Sequence, residues 1–141
     1  MKARVQWAGE ALFLGESGSG HAVVMDGPPD AGGRNLGVRP MEMLLIGLGG
    51  CSNFDVVSIL CKGRQLVESC EVFLDVERVG EEFKVFIKIH LHFVVKGCGL
   101  KEVQVKWVVE LSVEKYCLVS IMLGRVGALI VTGKQIGRAH V

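Results

Sequence analysis

The chain has 141 residues, half of them hydrophobic and 6% aromatic, and its formal net charge is +1. This length suits one domain with a buried core. The balanced charge disfavours partners such as nucleic acid or an anionic membrane surface, which require concentrated basic residues. We find no run of about 18 apolar residues and expect no membrane-spanning helix.

Three short strands are predicted in the N-terminal region, over Lys2–Trp7, Leu12–Leu14 and His21–Met25. Each run alternates or is apolar, and glycines separate the runs. The N-terminus also lacks the apolar core of a signal peptide. We therefore expect a cytoplasmic protein whose cysteines are reduced thiols.

A long helix is predicted from Pro40 to about Lys62, after an irregular Gly/Pro-rich loop over residues 27–39. Proline suits the first helical turn, and the carboxylate of Glu42 favours the positive end of the helix dipole. The helix is apolar on nearly every side through Leu48, so we expect it to be buried.

Three glycines in this helix need a structural reason. Gly47, Gly49 and Gly50 precede Cys51, and each glycine costs a helix about 1 kcal/mol relative to alanine. We expect either a close approach by another element at this point or a bend in the backbone.

Two strands are predicted next, over Cys70–Val76 and Lys84–Phe93, because apolar and polar residues alternate in both. The outer face of the first is acidic and that of the second basic, which favours antiparallel pairing through a hairpin turn at Gly80–Glu82. His90 and His92 share one strand face without an evident third ligand, so we interpret them as a polar sheet surface.

Two further helices and a closing strand complete the prediction. Leu100–Leu111 has helical apolar spacing, and Ser112 is a suitable N-cap for a second helix that ends near Gly124. Cys117 would then occupy about the fifth position of that helix. Ala128–Thr132 is the predicted final strand.

The last six residues, 136–141, resemble translated sequencing-adapter sequence. We expect this tail to be non-native and assign one domain to residues 1–135.

Cys51 and Cys117 are the strongest chemical signal, since each lies at or near a predicted helix start. A thiol becomes a nucleophile when its thiolate is stabilised, and a second thiol within reach makes the chemistry reversible. The pair therefore predicts redox catalysis, provided that the fold brings the two together. The competing interpretation is that both are small buried core residues.

No cofactor or metal site is predicted. The five cysteines show no C-x-x-C spacing, and the remaining three are interpreted as structural. The glycines of Gly15–Gly20 lack the spacing of a phosphate-binding loop.

The order of elements and motifs resembles the OsmC/Ohr family, the osmotically inducible and organic-hydroperoxide-resistance proteins, most of all its YhfA-type OsmC-like branch. The resemblance covers the chain to about Thr132. The motifs that carry it are Phe13–Ser17, Pro40–Met43, Gly49–Ser52, Asp55–Leu60 and Glu114–Cys117.

This resemblance implies an α+β OsmC-like fold in which antiparallel sheets wrap a central buried helix, assembled as an intertwined homodimer. It also implies thiol-dependent reduction of organic hydroperoxides. Cys51 would be oxidised to a sulfenic acid, Cys117 would resolve it to a disulfide, and an external dithiol would reduce that disulfide.

The chain departs from the family pattern in its activating residues. Peroxidases of this family carry a Glu directly after the helix-opening proline, where this chain has Met41, and its nearest acid is Glu42. One residue turns a helix by about 100°. The family's arginine aligns with Ser17–His21, which contains none, so Arg39 or Arg34 is the candidate substitute.

These departures leave a second hypothesis open. The chain is either a peroxidase with Cys51, Cys117, Glu42 and Arg39 as site residues, or a non-catalytic dimer of the same fold that binds a small molecule or senses redox state. A third interpretation treats all five thiols as packing residues.

Overall fold

A computed structural model describes residues 1–78, 80 and 85–138. In this part of the chain the protein is α+β, with two three-stranded sheets. The strands are β1 (Ala3–Trp7), β2 (Phe13–Ser17), β3 (Ala22–Met25), β4 (Leu66–Arg78), β5 (Phe86–Cys98) and β6 (Leu129–Arg138). The α-helices are α1 (Pro40–Lys62), α2 (Glu102–Leu111) and α3 (Leu118–Arg125).

The chain forms two compact units, residues 1–46 and residues from Gly47 onward. The assignment of one domain to residues 1–135 stays a prediction.

The N-terminal unit contains an antiparallel meander in the order β1-β2-β3. Trp7 lies opposite Phe13 on the neighbouring strand, and Phe13 lies opposite Met25 on the next. The three strands predicted for this region are therefore confirmed, with β2 shifted toward its glycine-containing end.

The Gly/Pro-rich segment that follows is organised by Asp26, which is 2% exposed. Its carboxylate accepts the backbone N–H groups of Gly27, Arg34 and Leu36 at 2.8, 3.2 and 3.1 Å. One side chain thus satisfies three backbone donors that have no sheet partner. Residues 27–39 form a loop, as predicted, with one 3₁₀ turn over Pro29–Ala31.

Helix α1 begins and ends where the sequence predicts. Glu42 Oε1 accepts the backbone N–H of Arg39 at 2.8 Å. This bond satisfies a donor at the helix start, as the acidic half of a capping box does.

Only the second half of α1 is buried, which corrects the expectation for its first half. Leu48, Val56 and Leu60 are fully buried, whereas Leu44 and Ile46 are 46% and 55% exposed in the single chain. By length and composition α1 is apolar enough to cross a membrane, so the statement that no such segment exists was wrong. Its fully buried residues place the second half of α1 in the core of the fold.

Gly49 permits a close approach of α1 to β4. A Cβ atom at this position would lie 3.0 Å from Leu74 Cδ1 and 3.4 Å from Val72 Cγ1. The predicted close approach is therefore confirmed at Gly49. A Cβ at Gly47 or Gly50 would meet nothing within 4 Å, and no contact among the described residues explains these two glycines.

The second sheet has the order β4-β5-β6. β4 and β5 pair antiparallel, as predicted, with Leu74 opposite Leu91, while β6 pairs parallel to β5. The predicted hairpin turn at Gly80–Glu82 falls largely outside the described residues. β6 extends beyond its predicted end, and Ile136 lies opposite Val95; the non-native origin of residues 136–141 stays a prediction.

The core of this unit is formed by one face of β5 and by the helices. The largest fully buried side chains include Ile89, Leu91, Phe93 and Val95 on β5, with Val105 and Val108 on α2. An ion pair between Lys134 Nζ and Glu102 Oε1, at 3.0 Å, joins β6 to α2.

The predicted helix beginning at Ser112 is interrupted. Ser112–Tyr116 forms a π-helical turn in which the N–H of Cys117 bonds the carbonyl of Ser112 at 2.7 Å. Cys117 itself is extended, with φ −72° and ψ 104°, and α3 begins at Leu118. Cys117 therefore precedes a helix instead of lying within one.

Candidate active site

Cys51 lies in the middle of α1, where the helix packs against β4, and not at or near a helix start as predicted. The thiol-bearing residue is half-buried, and Ser52 beside it is fully buried. Asn53 Nδ2 donates to the carbonyl of Cys70 on β4 at 3.0 Å. This bond and the contact at Gly49 fix the position of Cys51 relative to the sheet.

Cys117 lies at the junction of the π-helical turn and α3 and is fully buried. Two hydroxyl bonds tie this junction to its surroundings. Ser112 Oγ donates to the carbonyl of Ser52 at 3.0 Å, and Ser120 Oγ donates to the carbonyl of Val113 at 2.9 Å. The first of these joins the segment before Cys117 to the residue after Cys51.

The side chains of Cys51 and Cys117 lie close enough to interact, because Cys51 is among the groups that raise the pKa of the Cys117 thiol. Burial is the largest cause that raises the pKa of the Cys117 thiol to about 12. The neighbouring Cys51 side chain and the charges of Cys51 and Asp55 act in the same direction, and the backbone N–H of Ser120 opposes the rise. Cys117 is therefore a neutral thiol at physiological pH, able to donate its S–H to Cys51.

Asp55 lies one helical turn after Cys51 and close enough to Cys117 for its charge to act on that thiol. Its Oδ2 atom is buried and has no hydrogen-bond partner among residues 1–78, 80 and 85–138. Burial raises the pKa of the Asp55 carboxyl, while the nearby Ser112 side chain opposes the rise. Asp55 is not among the site residues predicted from the sequence.

The candidate activating residues have other partners. The Arg39 guanidinium donates to Asn35 Oδ1 at 2.7 Å and to the Gly37 carbonyl at 3.2 Å, and Glu42 accepts the Arg39 backbone N–H. Arg34 Nε pairs with Glu10 Oε2 at 3.2 Å. Their predicted part in activating Cys51 stays a prediction.

The remaining cysteines occupy different surroundings. Cys61 and Cys98 are exposed, and Cys70 is half-buried on β4. Burial raises the pKa of the Cys70 thiol to about 11. Cys70 is therefore also a neutral thiol at physiological pH, and Cys61 and Cys98 are suitable comparison residues for the buried pair.

Comparison with known proteins identifies the family to which this chain is similar. The model of the OsmC-like protein family matches residues 32–129. Protein YhfA of Escherichia coli strain K12 is 52% identical over 126 residues, which cover 87% of this chain and 89% of that protein.

Two solved structures share the fold. A hypothetical protein from Aquifex aeolicus VF5 is 29% identical, with a TM-score of 0.84 and coverage of 99% of this chain and 97% of that one. The organic hydroperoxide resistance protein OhrB of Bacillus subtilis has a TM-score of 0.63 at 17% identity, covering 96% of this chain and 98% of its own. The similarity to OhrB shows a shared fold only.

Proposed function

The chain belongs to the OsmC-like protein family, and from this premise we propose that it is a thiol-dependent peroxidase that reduces organic hydroperoxides. The observation that carries the proposal is the proximity of the Cys51 and Cys117 side chains, through which Cys51 raises the pKa of the Cys117 thiol. Two thiols in contact are able to form a disulfide without a large movement of the chain. The name of OhrB, an organic hydroperoxide resistance protein with the same fold, supports the substrate class.

The first step oxidises Cys51. Its thiolate attacks the terminal oxygen of the hydroperoxide, so an S–O bond forms while the O–O bond breaks. The sulfur is oxidised by two electrons to a sulfenic acid, and the alkoxide that leaves takes a proton to become an alcohol. Cys51 is half-buried and Cys117 fully buried, which favours Cys51 as the thiol that meets the oxidant.

The second step forms the disulfide. The Cys117 sulfur attacks the Cys51 sulfur, an S–S bond replaces the S–O bond, and the departing oxygen leaves as water with the proton of Cys117. An external dithiol then reduces the bridge by thiol–disulfide exchange, restores both thiols and is itself oxidised to a disulfide.

The active form is proposed to be a homodimer in the cytoplasm that responds to oxidative stress. Large apolar side chains on α1 and α3 are exposed in the single chain, among them Phe54 at 73%, Leu118 at 69% and Met122 at 67%. Exposed apolar surface of this kind is typical of an interface. A second copy of the chain is the proposed partner that covers it.

Glu42 and Arg39 are proposed to contribute to the activation of Cys51. The support for this role is the family resemblance, in which a glutamate near the helix start and an arginine act on the reactive thiol. A guanidinium is always protonated and stabilises a nearby thiolate.

Steady-state consumption of cumene hydroperoxide tests the proposal. With dithiothreitol in excess, the wild-type protein is expected to consume many equivalents of hydroperoxide, and without a reductant about one equivalent per chain. Consumption no faster than that by dithiothreitol alone would contradict the peroxidase and favour a binding or redox-sensing protein of the same fold.

A further inference from the structure

We infer that the Asp55 carboxyl transfers the proton of Cys117 to the oxygen that leaves Cys51 when the disulfide forms. This inference rests on the proposed function, because it assigns a residue to the second step of that reaction. It concerns a group that neither the thiol chemistry nor the family's activating residues require.

The position of Asp55 supports the assignment. Residues four apart in a helix lie on one face, so Asp55 and Cys51 share a face of α1. The charge of Asp55 also acts on Cys117. One carboxyl group therefore lies beside both reacting thiols.

The hydrogen bonds around Asp55 leave it free to exchange protons. The Ser112 hydroxyl carries one hydrogen and donates it to the Ser52 carbonyl at 3.0 Å. Asp55 Oδ2 is buried without a hydrogen-bond partner in the described part of the chain. Buried polar atoms are normally paired, and an exception calls for an explanation such as a catalytic role.

Formation of the disulfide needs a group that transfers a proton. The buried Cys117 must lose a proton before its sulfur bonds to Cys51, and the departing hydroxide must gain one. An ionised Asp55 accepts the proton from the Cys117 sulfur as the S–S bond forms. It then gives the same proton to the hydroxide, which leaves as water, and the carboxylate is regenerated.

A purely electrostatic neighbour would have the opposite effect. The negative charge of Asp55 raises the pKa of Cys117, so removing that charge favours the Cys117 thiolate. If Asp55 acted only through its charge, its loss would leave disulfide formation unchanged or make it faster. Proton transfer predicts that the same change makes the step slower.

The test compares wild type with Asp55→Asn, Asp55→Glu and the control Asp75→Asn, an exposed aspartate of β4. Each reduced protein receives one equivalent of cumene hydroperoxide and is quenched at intervals. Mass spectrometry then measures the Cys51 sulfenic acid, trapped with dimedone, and the Cys51–Cys117 bridge. Circular dichroism confirms that each variant is folded.

Asp55→Asn is expected to form the sulfenic acid within about twofold of the wild-type rate and the bridge about 10²-fold more slowly, the usual range for loss of a proton-transferring group. Asp55→Glu recovers part of the rate, and Asp75→Asn behaves as wild type.

The rate at which the wild-type protein forms the Cys51–Cys117 bridge should rise with pH as Asp55 ionises, and Asp55→Asn should lack this rise. Within residues 1–78, 80 and 85–138, the titratable groups whose charges act on Cys117 are Cys51 and Asp55.

Bridge formation in Asp55→Asn at the wild-type rate or faster would overturn the inference while leaving the peroxidase intact. Absence of both sulfenic acid and bridge in the wild type would instead overturn the proposed function, and the inference with it.

Discussion

Cys51→Ser is expected to lower the rate of cumene hydroperoxide reduction by about 10³-fold or more, to the level of the dithiol alone. A thiolate is the nucleophile that breaks the O–O bond, and a serine hydroxyl remains protonated and does not replace it. The measurement is steady-state loss of hydroperoxide with dithiothreitol in excess. Because serine is nearly isosteric with cysteine and Cys51 is half-buried, the fold should be retained.

Cys61→Ser is the matched control for this variant. It changes a cysteine of the same helix, but one that is exposed. It should retain the wild-type rate. Equal hydroperoxide consumption by wild type and Cys51→Ser would remove Cys51 from the mechanism and leave the thiol contact as a packing feature.

Cys117→Ser is expected to stop the reaction after one equivalent of hydroperoxide when no reductant is present. Cys51 is still oxidised, but its sulfenic acid has no neighbouring thiol with which to condense. The intact mass of the variant should therefore rise by one oxygen atom, whereas the wild-type mass falls by two hydrogens as the bridge forms. With dithiol present, a mixed disulfide at Cys51 replaces the internal bridge.

Cys98→Ser provides the comparison, since Cys98 is an exposed thiol on β5. Its mass should fall by two hydrogens, as in the wild type. A bridge that still forms at Cys51 in Cys117→Ser would show that another thiol resolves the sulfenic acid.

The bounds of α1 were predictable because its signals are local. Pro40 at the first turn and Glu42 in the same turn each act within a few residues of the helix start. The alternation of β4 and β5 is likewise local. Burial of the first half of α1 was predicted wrongly, because hydrophobic composition does not specify whether the covering surface belongs to the same chain.

The break before Cys117 was not predictable from local pattern. A helical spacing of apolar residues continues through this region, and the π-helical turn adds a residue without changing that pattern visibly. The hydroxyl bonds of Ser112 and Ser120 to distant carbonyls hold the turn in place. Such bonds depend on tertiary contacts that sequence spacing does not specify.

The pairing of Cys51 with Cys117 came from the family resemblance and not from the spacing of the thiols. Nothing local joins residues so far apart in sequence, and the contact depends on how α1 packs against the later helices. Asp55 is absent from the predicted site residues for a related reason. Its position in the helix does not show whether the carboxyl faces the sulfurs, and only the burial of its Oδ2 atom and the effect of its charge on Cys117 distinguish it.

The most direct measurement of the central claim is disulfide mapping after one equivalent of cumene hydroperoxide is added to the fully reduced protein. Proteolysis under acidic conditions, after alkylation of free thiols, should yield a peptide that joins Cys51 to Cys117, with Cys61 and Cys98 alkylated. Recovery of both Cys51 and Cys117 as alkylated thiols after the hydroperoxide has been consumed would contradict the redox pair.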